Sequence, residues 1–389
     1  MRTLIISDLH LGSASGADVL RSERLRAPLL AALADVDRLV LLGDVLELRQ
    51  GPPRDAMAAA RPFFEDLGHT LGGRELVITA GNHDHALIEP WLVGRGEEQV
   101  PAPLAPEQLL EPAEVSPALA RIAGWASPAR VRVAYPGLWV RPDVYATHGH
   151  YLDCHLTMPT LERLSVGVMS RLLGRPAQAF DSVDDYEAVS TPVFAWRDAV
   201  ARDGRTGAAL NGVGMVGAWR ALGGSMGGGS VGGSGNRLSH SHRARVSSAV
   251  RGLRTRALVA AFPLAVAAVN RAGIGPVRTD VSAGELRRAG LNAMAEVAMR
   301  LGLGDAHVVF GHTHRAGALP GEHGPEWRAG RLINAGCWTY SPAFLTPTLG
   351  ESPYWPGGCV LVGDSGPPVL ERLLQDRTHA ELDHLEHTL

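Results

Sequence analysis

Apolar positions gather into short β-rich runs, Thr3 to Ser7, Arg38 to Leu42, Glu75 to Thr79 and Asp143 to Thr147, separated by helix-length segments such as Ala17 to Ala34. This alternation predicts an α/β sheet. From about residue 156 to 304 the rhythm changes, and helices are predicted near Thr160 to Leu173 and Val183 to Ala201. Ser282 and Glu285 form a capping box ahead of a helix whose apolar stripe is Leu291, Met294, Ala298 and Leu301. The sheet pattern resumes at His307 to Phe310 and continues through Arg331 to Asn334, Gly358 to Gly363 and Pro368 to Leu373. We therefore expect one domain in two halves, 1–155 and 305–375, with a helical insertion at 156–304 and a polar tail at 376–389 whose histidines are solvated.

The insertion has its own organisation. GGSMGGGSVGGSG at 223–235 reads as a flexible loop, and six arginines follow between Arg237 and Arg256. The apolar run at 257–269 falls short of the roughly 20 residues that cross a bilayer. A buried helix kinked at Pro263 is the expectation, and the alternative is an amphipathic lid making peripheral contact with an anionic membrane surface through 237–270. No transmembrane segment is expected, and the N-terminal run leads into Asp8 and His10, as a strand does and a signal peptide does not.

Composition narrows the function classes. The 37 cationic side chains are all arginine, which excludes Schiff-base and P-loop lysines. A net charge of −3 argues against broad capture of nucleic acid backbones. Cys154, Cys337 and Cys359 form no CxxC pair and suit a reducing, cytoplasmic compartment, with Cys337 read as core filler.

The chemistry lies at the strand ends, which read SDLH, GDVLE, GNHD, THGH and GHTH. Ligands of open α/β sheets gather beyond the carboxyl ends of strands, so these clusters are expected to converge. A single histidine in such a place is an ordinary structural residue. Asp8, His10, Asp44, Asn82, His148, His312 and His314 together are seven oxygen and imidazole donors at five predicted strand ends. Without thiolate they suit manganese, iron or zinc, and they exceed what one catalytic ion takes from protein, so two divalent ions sharing a carboxylate are expected.

In that order the five blocks resemble the signature of the calcineurin-like metallophosphoesterases. The resemblance implies a four-layer αββα sandwich. It implies that Asp8, His10, Asp44 and His314 hold a first ion, that Asp44 bridges, and that Asn82, His148 and His312 complete a second. It also implies a catalytic role for His83, oriented by Asp84. Two such ions can hold a bridging water whose pKa falls to about 7 for in-line attack on phosphorus. Phosphoester or pyrophosphate hydrolysis is the expected reaction, and Arg315 is placed either against a substrate phosphate or in a salt bridge.

SDLHLG, GDVLE, GHTHR and the helical insertion look most like the UDP-2,3-diacylglucosamine pyrophosphohydrolases, whose insertion forms a lid over acyl chains. The chain departs from them in having His83 where they have arginine, and in its length and glycine-rich insert. A phosphorylated small molecule or lipid is thus the expected partner. The alternatives are a nucleotide or nucleic acid phosphodiesterase of the same superfamily and a metal-binding scaffold without catalysis.

Overall fold

The computed structural model describes residues 1–97, 101–202, 264–280, 283–319, 322, 330–342, 345 and 350–383. Ten strands are described: β1 (Thr3–Ile6), β2 (Arg38–Leu42), β3 (Glu75–Thr79), β4 (Glu107–Leu110), β5 (Arg130–Arg141), β6 (Val144–Thr147), β7 (His307–Phe310), β8 (Leu332–Asn334), β9 (Gly358–Val362) and β10 (Val369–Arg372). The helices up to residue 202 are α1 (Glu23–Ala32), α2 (Pro53–Leu71), α3 (Glu89–Gly96), α4 (Pro112–Val115), α5 (Pro117–Trp125), α6 (Leu161–Leu172) and α7 (Val183–Arg202). Residues 264–271 and Ala283–Arg300 are helical beyond them. The chain is mixed α/β, with one large sheet and helices against it.

The sheet runs β10-β9-β1-β2-β3-β5-β6-β7-β8, with β4 added to β5. β1, β2, β3 and the first part of β5 are parallel, and so are β6, β7 and β8. The two parallel groups meet head to head on β5. Thr79, closing β3, pairs with Ala134, whereas Thr147, closing the antiparallel β6, pairs with Gly137. The carboxyl ends of both groups therefore arrive within three residues of each other along β5, about 10 Å of extended chain. This meeting line positions the site.

The sheet also doubles back. Arg38 is level with Glu75 and Arg130 in the register, and from Arg130 to Val140 an extended strand would run about 33 Å. Yet the Arg38 guanidinium donates to the Val140 carbonyl at 2.9 Å, so the second half of β5 lies across β2. A buried cluster drawn from strand faces, with Ile5, Val40, Val77, Leu138, Val309 and Val360 among its members, fills the fold. Two further clusters lie under the helices: α1, α2 and α5 cover the first group of strands, and α6, α7 and Ala283–Arg300 cover β6 to β8. Strands buried on both faces read as continuous apolar runs, as TLII and RLVLL do.

α6 and α7 lie where the apolar spacing put them. Thr160 caps α6, its hydroxyl accepting from Arg163 N at 3.1 Å, and Met294 and Ala298 are fully buried. Ser282, the glycine-rich loop, the arginines of 237–256 and Pro263 lie outside the described residues. The tail needs one correction: His379 is held by the Tyr340 hydroxyl at 2.9 Å and packs against Trp355, because Leu382 docks its short helix into the core. His384 and His387 are outside the described residues. Cys154, Cys337 and Cys359 are free and buried, and no described helix is long and apolar enough to cross a membrane.

Leu138→Ala tests the doubled sheet. Leu138 is 1% exposed in the cluster between the strand faces, so urea denaturation should show a loss of about 2–5 kcal/mol. A loss below about 1 kcal/mol, within the range of surface substitutions, would mean that the two faces are not packed together.

Candidate metal centre

All seven donors stand just beyond the carboxyl ends of β1, β2, β3, β6 and β7, and the structure brings them together. Ligand atoms of Asp8, His10 and His314 lie within 4.8 Å of one another, and so do those of Asp44, His148 and His312. Asp44 sits between the groups: its Oδ2 is 3.6 Å from His10 Nε2 and 3.4 Å from His148 Nε2. A third grouping, His10, Asp44 and His83, satisfies the same distance. Most of the donors are buried, and His83 and His314 are the more exposed, their side chains at 24% and 34%. Those two imidazoles line the open side of the hollow.

The backbone is bent to make this possible. Among the described residues, the non-glycine residues at positive φ are Asp8, His10, Asp44, His312 and His314, with φ between 47° and 64°. Each such conformation costs about 1–3 kcal/mol and persists only where the surroundings impose it. Glycines allow the close approach. A Cβ on Gly81 would overlap Asp44 Oδ1 and the His148 ring, and Gly43 combines φ of +81° with the same ring at its back.

Two oxygens are placed where a cation would satisfy them. Asp8 Oδ1 is fully buried and accepts no hydrogen bond, while the partner oxygen accepts from His312 N at 2.9 Å. Asn82 Oδ1 points at His148 Nε2, 3.1 Å away, and His312 Nδ1, 3.0 Å away. The opposite amide orientation would send its nitrogen to those atoms and to Asp44 Oδ2 at 3.3 Å, and its oxygen to Arg49 Nη1 at 3.2 Å. Hydrogen bonding alone prefers that second orientation, whereas an ion between Asn82, His148 and His312 requires the first. The donor set therefore fits divalent ions.

The groups that aim the donors were not all legible beforehand. Glu47, 2% exposed, receives both His10 Nδ1 at 3.0 Å and His83 Nδ1 at 2.9 Å. Asp153 holds His312 Nε2 at 2.9 Å, and the Leu42 carbonyl holds His148 Nδ1 at 2.9 Å. Each fixes a ring nitrogen, leaving the other to face the hollow. The expectation that Asp84 orients His83 is corrected. Its carboxylate is spent on backbone N–H groups, Gly81 at 2.7 Å, Val45 at 2.7 Å, Leu46 at 3.2 Å and Asp44 at 3.3 Å, and it clamps the β2 turn while Glu47 turns His83. Burial and the Asp44 carboxylate push Asp84 up to about 6 against the pull of those N–H groups. Arg315 pairs with Glu322, which Arg287 also approaches at 3.6 Å, so the salt-bridge alternative is the arrangement observed.

The electrostatics follow from carboxylates crowded in a dry hollow. Burial disfavours charge at His10, but Glu47, Asp44 and Asp8 raise it to about 9. His148 rises to about 10 by the same opposition, with Asp44 foremost among the groups that raise it. Burial lowers His314 to about 4, and Asp8 only partly offsets this. Asp44 is driven well below the carboxylate range, His148 and His83 outweighing its burial. Protons on His10 and His148 thus neutralise charge that a bound cation would otherwise meet, and ion binding must expel them.

Comparison with protein-family models and with curated proteins finds no match. The class of the protein therefore rests on the site itself, a buried cluster of carboxylate, amide and imidazole groups able to hold metal.

A pH dependence follows. In protein freed of divalent ions, His10 and His148 bind protons more tightly folded than unfolded, where the value is 6.5. That contribution is complete below pH 6.5 and is lost as pH rises through about 9 and 10. Urea midpoints measured in chelator should fall from pH 6.5 to 9, and saturating Mn²⁺ should flatten the decline. A midpoint that climbs across this window in chelator contradicts the charge balance.

Proposed function

We propose that the protein is a dinuclear metal-dependent hydrolase of the calcineurin-like metallophosphoesterase type, cleaving a phosphoester or pyrophosphate bond. The observation that carries this reading is the coincidence of backbone strain with donor chemistry: five residues held at positive φ are five of the seven donors. Folding tolerates that cost where the groups so positioned have work to do. The doubled sheet, with helices outside each half, agrees with a four-layer αββα sandwich.

Asp8, His10 and His314 would hold one ion and Asn82, His148 and His312 the other, with Asp44, between the two groups, serving both. Two bound ions would supply a water of lowered pKa and would neutralise phosphoryl oxygens. The chain's own residues do the rest. Glu47 and Asp153 fix the imidazoles so that ring nitrogens face one hollow. His83, on the open side, has Nδ1 held by Glu47 and would meet the departing oxygen with Nε2. Exclusion of water by the buried walls strengthens each of these charge interactions.

For the substrate, the exposed apolar residues of the insertion favour an amphiphile. Leu172 on α6 and Leu264 are each 74% exposed, and Trp196 on α7 is 52% exposed. These supports are independent of the basic segment at 237–256. A lipid-linked phosphate or nucleotide-sugar pyrophosphate is the favoured class.

The test is elemental analysis of protein purified without added metal, joined to a panel of phosphomonoester, phosphodiester and nucleotide-sugar pyrophosphate substrates. Two ions per chain and turnover of one class are expected. Full metal occupancy with no turnover of any class would make the protein a scaffold. Asp44→Asn should reduce ion content and abolish hydrolysis. His83→Ala should lower kcat by about 10²–10⁴ while ion content stays intact, and loss of an ion there would reassign His83 as a ligand, as the third grouping allows.

A further inference from the structure

The inserted helix α7 reaches the metal centre through one arginine. Arg49 lies five residues beyond Asp44 and is 2% exposed. Its Nε donates to Asp198 Oδ1 at 3.0 Å, and its Cζ lies 5.1 Å from the centre of the Phe194 ring. Asp198 and Phe194 stand one turn apart on α7, so a single face of that helix grips the guanidinium from two sides. Arg197, the neighbouring cation, is occupied by Glu162 of α6 at 2.6 Å and leaves Asp198 to Arg49.

The other end of Arg49 faces the Asn82 amide, 3.2 Å from Nη1. With the Asn82 oxygen turned toward His148 and His312, its amide nitrogen faces Nη1, and two donors oppose each other. Arg49 therefore pulls on the Asn82 oxygen in competition with a cation, and its charge repels that cation across a buried, weakly screened path. Asp198 offsets the guanidinium's charge and fixes its Nε end.

We infer that Asp198 of α7 gates occupancy of the pocket formed by Asn82, His148 and His312, by restraining Arg49. Asp198 is a positioning residue, and the inference rests on the proposal that this pocket takes an ion. By linkage, docking of the inserted helix and loading of that pocket are one coupled equilibrium: whatever displaces α7 loosens one ion, and that ion tightens α7.

The experiment is competitive titration of Mn²⁺ against a fluorescent chelator for the parent chain, Asp198→Asn, Arg49→Met and the double variant. The parent should bind two ions. Asp198→Asn should weaken one of them about 10- to 100-fold, the usual range for a group behind a ligand, and leave the other unchanged. The double variant, which removes both charges of the pair, should bind both within about threefold of the parent. Recovery on removing a second side chain is a signature that a structural role would not produce. Unchanged binding in Asp198→Asn overturns the gate, as does a double variant at least tenfold weaker than the parent. If Asp198→Asn fails to fold, the neutral double variant still decides, because tenfold weakening there would mean the pair builds the pocket. A parent chain that binds fewer than two ions removes the dinuclear reading, and the gate falls with it.

Discussion

Negative charge and lone pairs gathered in a dry hollow have to be met by positive charge, and most of the local structure answers to that requirement. Asp8 and Asp44 are buried together beside Glu47, and the imidazoles of His10, through Glu47 and Asp44, and of His148, through Asp44, bind protons more tightly for it. The strain at the five donors, the glycines that allow backbone to touch ring, and the clamp of Asp84 on the β2 turn all hold the carboxylates close against their mutual repulsion. Buried charges of this kind stand only when partnered, and here the partners are exchangeable protons and cations.

β5 makes the hollow geometrically feasible. A parallel sheet delivers its carboxyl ends to one edge, which could supply Asp8, Asp44 and Asn82. His148, His312 and His314 come from a second parallel group running the opposite way. A strand of twelve residues, paired with β3 along its first half and with β6 along its second, lets the two edges face each other. The return of its far end over β2, pinned by Arg38, gives both groups a common apolar interior.

Much of this was legible in the sequence, and the limits have physical reasons. β2, β3 and β7 fall on the runs that apolar clustering marked out, because strands buried on both faces leave an unbroken apolar signature. The five polar clusters were legible for the same reason: polar residues abruptly ending such a run have nowhere to go but the sheet's edge. β5 was not legible, since its arginines alternate with valines and Pro136 and Gly137 interrupt the middle, where a turn is the ordinary reading. The supporting carboxylates stayed hidden because their partners are distant in sequence. Glu47 did carry a signal, an acid inside the apolar run VLEL, but nothing local shows that it serves both His10 and His83. Asp84 was placed behind His83 by the family resemblance alone, and its carboxylate is spent instead on backbone N–H groups. Arg49 and Asp198 are 149 residues apart, and only folding brings them together.

The order in which the ribosome would release these donors has a consequence for how the centre is assembled. Asp8, His10 and Asp44 are made more than 260 residues ahead of His312 and His314. A nascent chain therefore holds five of the seven donors until β7 is made, and a fragment ending before β7 lacks both closing imidazoles. Metal acquisition is in that sense a late event, and the two halves must already have found each other for it to occur.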